Sequence, residues 1–169
     1  METPVVLIVF KRPDTTGQVL DVIRRIRPTK FFVIADGPRS GYADEAEKCA
    51  SARAIVEDID WPCEVHRNYS ATNLGCGRRV ASGISWVFEH VEEAIILEDD
   101  CLPHPSFFRF CQALLERYRY DTRIMHIGGN NFQNGIKRGP PGLDAPPSCP
   151  TAGTPQCPVR SVPLPPRIS

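Results

Sequence analysis

The sequence has no excess of charge: 20 lysine and arginine side chains face 20 aspartates and glutamates, a formal net charge of zero. Nucleic acid or an anionic membrane therefore finds no basic field to bind. Long hydrophobic runs are also missing. The run from Val5 to Phe10 is far too short for a membrane span of roughly 20 residues. Met1-Glu2-Thr3-Pro4 ahead of it has none of the basic residues that open a secretory leader. The seven cysteines (49, 63, 76, 101, 111, 149 and 157) include no C-x-x-C pair, which makes a poor disulfide framework and a poor zinc site. Free thiols in a reducing compartment follow, and with them a soluble, cytoplasmic chain without a transmembrane segment. No internal repeat is visible.

What is present divides in two. Ten of the 17 prolines fall between 138 and 169, among them Pro140-Pro141, Pro146-Pro147 and Pro165-Pro166. Proline removes backbone donors and blocks helix and central strand alike, so 137–169 reads as a disordered, proline-rich tail. Residues 1–136 read as one globular domain, and a chain of 169 residues has room for one real core.

Within that domain, apolar runs alternate with amphipathic stretches. Val5–Phe10 is continuously apolar, as a strand covered on both faces requires. Thr15 and Gln18 have the spacing of a capping box, and Val19, Ile23 and Ile26 recur at helical period until Pro28. Residues 30–36 form a second buried strand, and 43–60 a helix with Ala46, Ala50 and Ile55 or Val56 turned inward. A short strand follows at 63–67, then a helix faced by Val80, Ile84, Val87 and Val91, then a strand at 94–97. Pro105 and Ser106 open a helix with Phe107, Cys111, Leu114 and Tyr118 on one stripe. Residues 123–129 make a fifth strand. Strands alternating with helices imply an α/β, mostly parallel sheet with right-handed crossovers.

In such a sheet, ligands collect at the carboxyl ends of the strands. The chemically distinctive residues fall there. Strand one ends in Lys11-Arg12-Pro13, strand two in Asp36-Gly37-Pro38, and strand four in Glu98-Asp99-Asp100, while strand three leads toward Asn73-Leu74-Gly75-Cys76-Gly77. Each has an ordinary explanation: solvated charges, a turn, a glycine-bearing connector. Three adjacent carboxylates after a buried run are the hardest to explain that way, because they repel one another unless a divalent cation shares them. All-oxygen ligands favour Mg²⁺ or Mn²⁺. Glycines ahead of a helix that carries Arg78 and Arg79 also suit a phosphate. Cys101 has no evident general base and reads as a small buried thiol. His66, His104 and His126 read as structural, and Trp86 as core.

The stretches VFKRPDTT, VIADGPR, NLGCGRRVASGISWVFE and IILEDDCLPHPSFFRF resemble, in order and spacing, the nucleotide-sugar-binding half of GT-A-fold glycosyltransferases, over residues 4–133. The likeness is greatest to bacterial family-2-like enzymes and to the N-acetylglucosaminyltransferase I type. It implies a GT-A, Rossmann-like sheet flanked by helices and transfer of a sugar from a nucleotide-diphospho-sugar, most simply a UDP-sugar, to a glycan, protein or lipid acceptor. By the same resemblance Asp100 holds an Mn²⁺ or Mg²⁺ ion, and Glu98 and Asp99 face the ribose and sugar. Arg12 lies by the nucleotide, Asp36 bonds the base, Arg78 or Arg79 approaches the diphosphate, and Gly128-Gly129-Asn130 lies beside the donor sugar. The family's acceptor region, which carries the catalytic base, is replaced here by the proline-rich tail, so the chain reads as a truncated donor half with no base of its own. Two other readings stand beside this one. A non-catalytic nucleotide-sugar-binding fragment keeps the same residues. A sugar-phosphate nucleotidyltransferase needs a glycine-rich loop after strand one, and FKRPDTTG offers one late glycine.

Overall fold

The computed structural model describes residues 1–124, 126–128 and 160–161. The strands are β1 (Val5–Val9), β2 (Lys30–Ala35), β3 (Glu64–Tyr69), β4 (Ile95–Glu98) and β5 (Arg160–Ser161); the helices are α1 (Pro13–Ile26), α2 (Ala43–Glu57), α3 (Cys76–Phe88) and α4 (Ser106–Tyr118). The sheet order is β3-β2-β1-β4-β5. The first four strands are mutually parallel, with Val5 beside both Phe31 and Ile95, and β5 runs antiparallel to β4. The chain thus steps outward from β1 to β3, then crosses back to lay β4 on the other side of β1. That reversal of strand order makes the β1/β4 junction a switch point of the topology, and the connections after β1 and after β4 start side by side at the carboxyl edge of the sheet.

Covalent pattern explains the layers. All five residues of β1 are buried. Alternate residues feed two cores. Val5, Leu7 and Val9 join Phe31, Val33, Ile95 and Leu97 under Val19 and Ile23 of α1, Val56 of α2, and Phe107, Phe108 and Cys111 of α4. Val6, Ile8, Phe32, Ile34 and Ile96 face Val87 of α3 on the other side. Fully burying each of these large side chains contributes about 1.5–3 kcal/mol. Among the described residues no helix is long and apolar enough to cross a membrane.

Several expectations change. Helix α1 starts at Pro13, with Arg12 as its cap and no side-chain cap bond, so the Thr15–Gln18 capping box is not formed. Instead the Arg12 carbonyl accepts from the Thr16 N–H at 3.0 Å and the Thr16 hydroxyl at 2.7 Å. Helix α2 buries Glu45, Cys49, Ala52 and Val56, while Ala46 and Ala50 are exposed, because two cations on neighbouring loops draw Glu45 inward. Helix α4 buries Leu115, one position on from Leu114, and leaves Tyr118 only partly covered. The fifth strand is not at 123–129: among the described residues there, Gly128 alone forms an isolated bridge, and Met125 and Gly129 lie outside them. Its place is taken by Arg160–Ser161, from the segment expected to be disordered. These residues lie between Pro158 and Pro163, where the backbone can still donate, and they cover one edge of β4. The rest of 138–169 lies outside the described residues.

Candidate functional site

The carboxyl ends of β1 and β4 meet through one aspartate. Asp99, 4% exposed, accepts the Phe10 N–H on Oδ2 at 3.0 Å and Arg12 Nη1 on Oδ1 at 2.9 Å. Burial pushes the Asp99 carboxyl above its ordinary range, against the pull of these two donors. The same Nη1 of Arg12 lies 2.7 Å from Asp100 Oδ2. One guanidinium nitrogen therefore bridges two adjacent carboxylates across the switch point. The Arg12 side chain is 54% exposed and that of Asp100 30% exposed, so the pair opens to solvent above a buried floor. Cys101, buried, donates its thiol toward Asp100 Oδ1 at 3.7 Å.

A second knot joins the loops after β1 and β2. Glu45, 2% exposed, receives Lys11 Nζ and is forked by Arg39, whose Nε lies 3.0 Å from each oxygen and whose N–H donates at 3.1 Å. Arg39 first, and Lys11 after it, hold the Glu45 carboxyl down to about 2. Arg39 also stacks on Tyr42, 4.2 Å from the ring centre.

Asp36, at the end of β2, is buried and fully used. Oδ1 accepts the N–H groups of Gly37 and Leu74, each at 2.9 Å; Oδ2 accepts Asn73 Nδ2 at 3.0 Å and the Gly75 N–H at 3.2 Å. A carboxylate has about four lone-pair positions. Asp36 fills them from its own chain, so it pins the loop ahead of α3 and has no acceptor position left for a base. Two arginines brace the same region from behind. Arg79, 4% exposed, donates Nε to the Ala35 carbonyl at 3.1 Å and Nη2 to Asn68 Oδ1 at 2.9 Å. Arg53 Nη2 reaches the carbonyls of Asp36 at 3.0 Å and Ser70 at 2.7 Å. Desolvation lowers the Arg79 pKa, opposed by Asp36. Arg78, one residue earlier, is exposed. The open pair Arg78 or Arg79 thus divides into a surface cation and an internal brace.

The site residues named from sequence are therefore distributed unevenly. Arg12, Asp99 and Asp100 come together, with Glu98 beside them at the end of β4. Asp36 and Arg79 organise the neighbouring loop, and Arg78 lies on the first turn of α3. Gly128 is exposed; Gly129 and Asn130 lie outside the described residues. Glu45, Arg39 and Arg53 escape sequence reasoning, since nothing in a sequence pattern marks a first-turn glutamate as buried. The histidines pair in a way the sequence conceals: His66 stacks on Phe32 and lies 5.4 Å from His90 between ring centres. His104 Nδ1 accepts the Ser106 N–H at 3.3 Å at the start of α4. The five described cysteines are free.

A divalent cation can be tested against this donor set. Among the described residues no three His, Cys, Asp or Glu side chains form a ready cage. Mg²⁺-like ions do not require one: one or two carboxylates suffice when phosphate oxygens and water complete the shell. Asp100, partly exposed and next to a second aspartate, offers such an ion one or two carboxylate oxygens and leaves the rest of its shell to water and phosphate. Comparison of the chain with models of protein families and with curated proteins gives no match.

Proposed function

We propose that the chain binds a nucleotide-diphospho-sugar, most simply a UDP-sugar, on a GT-A-like sheet and is the donor half of a glycosyltransferase. The observation that supports this best is the bridge from Arg12 to Asp99 and Asp100 across the β1/β4 switch point, where an open α/β sheet receives its ligand. In this reading Asp100 holds Mn²⁺ or Mg²⁺, which supplies Lewis-acid stabilisation of the departing diphosphate. Arg12 and Arg78 stand ready for the phosphate oxygens, where their charge offsets what develops as the glycosidic bond breaks. Glu98 lines the donor side. Asp99 works from beneath, fixing the Phe10 N–H and the Arg12 side chain. Asp36 acts by holding 73–75, the loop ahead of α3, and not by bonding the base.

Calorimetry with UDP-sugars tests the reading. The parent should bind far better with Mn²⁺ or Mg²⁺ than with chelator, since a bare diphosphate meets carboxylates of its own sign. Asp100→Asn keeps the shape without the charge and should lose about 2 kcal/mol or more of the metal-dependent affinity. Arg109→Ala should change little. Arg109 shares a cleft with Ile26, the last residue of α1, whereas Arg12 caps its start, so the helix separates them by about 20 Å. Equal binding by Asp100→Asn, with no metal dependence, sinks the proposal. Turnover with a UDP-sugar separates a transferase from a protein that only holds the donor.

A further inference from the structure

We infer that Arg12 is an internal counter-cation that occupies the acidic pair until a divalent ion displaces it, and that the displaced guanidinium then binds the diphosphate. This rests on the proposal that Asp100 takes a divalent cation. The geometry is specific: one atom, Arg12 Nη1, lies 2.9 Å from Asp99 Oδ1 and 2.7 Å from Asp100 Oδ2. Two carboxylates sharing one positively charged point is the electrostatic arrangement that a bridging ion would also satisfy. Asp99 cannot simply lose its partner, because it is buried and a buried unpaired anion is strongly disfavoured. Its second oxygen is held by the Phe10 N–H, which keeps the other oxygen turned to the position Arg12 Nη1 occupies, whichever cation is present. Arg12 can move. Its side chain is 54% exposed, and its backbone is fixed separately, by the two bonds that Thr16 donates to its carbonyl.

Arg12 then has two partners in turn, and this predicts effects of opposite sign from a single substitution. Removing the guanidinium removes a competitor for the metal and also a ligand for the diphosphate. Metal and nucleotide are coupled through the displaced side chain, with no motion of the sheet required. A merely structural arginine would weaken both.

The test uses the full chain and Arg12→Gln, with free Mn²⁺ followed by electron paramagnetic resonance and UDP binding by calorimetry. Arg12→Gln should bind Mn²⁺ alone at least about fivefold more tightly than the parent, the lower end of coupling between linked sites. It should bind UDP in the presence of saturating Mn²⁺ less tightly. Circular dichroism checks that the variant is folded. If it is not, Arg12→Lys, which keeps the charge but loses the fork, should show a smaller gain in Mn²⁺ affinity. Mn²⁺ binding by the parent with equal or weaker binding by the folded variant overturns the exchange and leaves the metal site standing. No Mn²⁺ binding by either protein at millimolar concentrations overturns both.

Discussion

Asp36 accepts four hydrogen bonds on two oxygens, three from backbone N–H groups of 37, 74 and 75. A glutamine or asparagine cannot repeat this, because half of an amide donates where the loop also donates. Asp36→Asn should therefore cost about 1–3 kcal/mol in urea unfolding, the usual result of leaving buried donors unmatched. Loss of metal-dependent nucleotide affinity should accompany it, since the loop ahead of α3 is released. Unchanged stability would show that the carboxylate does not hold the loop. The sequence marks Asp36 as unusual, and the resemblance assigns it a ligand. Neither can show that four donors from residues up to 39 positions away converge on it, because that convergence depends on how β2 and the loop after β3 meet. Arg78 and Arg79 illustrate the same limit. They are adjacent in sequence, yet helical geometry turns one to solvent and the other under the sheet.

Glycine is required at one position near the site and not at another. At Gly37, a Cβ would lie 2.6 Å from the Thr72 carbonyl carbon and 2.7 Å from Thr72 N, both backbone atoms that cannot rotate away. The Asp-Gly-Pro sequence reads as a turn signature, but what requires glycine here is the close passage of the loop after β3. Gly37→Ala should lower stability by about 1–3 kcal/mol, as overpacking does, and separate the elements that Asp36 joins. Gly17 in α1 meets nothing within 4 Å. There Gly17→Ala should raise stability by about 0.5–1 kcal/mol through helix propensity alone. Thermal melts of the two variants should move in opposite directions. A melt of Gly37→Ala that matches the parent would refute the close approach.

Across the molecule, two loops at the carboxyl edge are tied through α2 by charge as well as by the sheet. Lys11 belongs to the connection after β1, Arg39 to that after β2, and both meet Glu45 on α2. The folded Glu45 carboxyl stands near 2 where its ordinary value is 4.5. A depressed acid stabilises the fold above its unfolded pKa, and the contribution is lost as pH falls through the folded value. The parent should thus be more stable than Glu45→Gln at neutral pH, and the gap should shrink from about pH 4.5 down toward pH 2. Urea unfolding of both proteins across that range measures it. A gap that stays constant would assign the effect of Glu45 to shape and not to charge.

The order of strands and helices in residues 1–118 is legible in the amino-acid pattern alone, because burial on two faces demands continuous apolar runs and burial on one demands helical periodicity. The gathering of Arg12 and Glu98-Asp99-Asp100 at strand ends is legible for the same reason: parallel strands bring their carboxyl ends to one edge. Only tertiary structure decided what those residues do to each other. Helix α2 turned by one position because buried Glu45 gained two cations, an energy no hydrophobic pattern encodes. Asp36 and Arg79 became braces because lone pairs and donors from distant segments met there. Arg12 became a bridge because β4 crossed back beside β1, and that neighbour relation, set by the packing of α1, α3 and α4 on the two faces, is a property of the assembled sheet and of no local stretch.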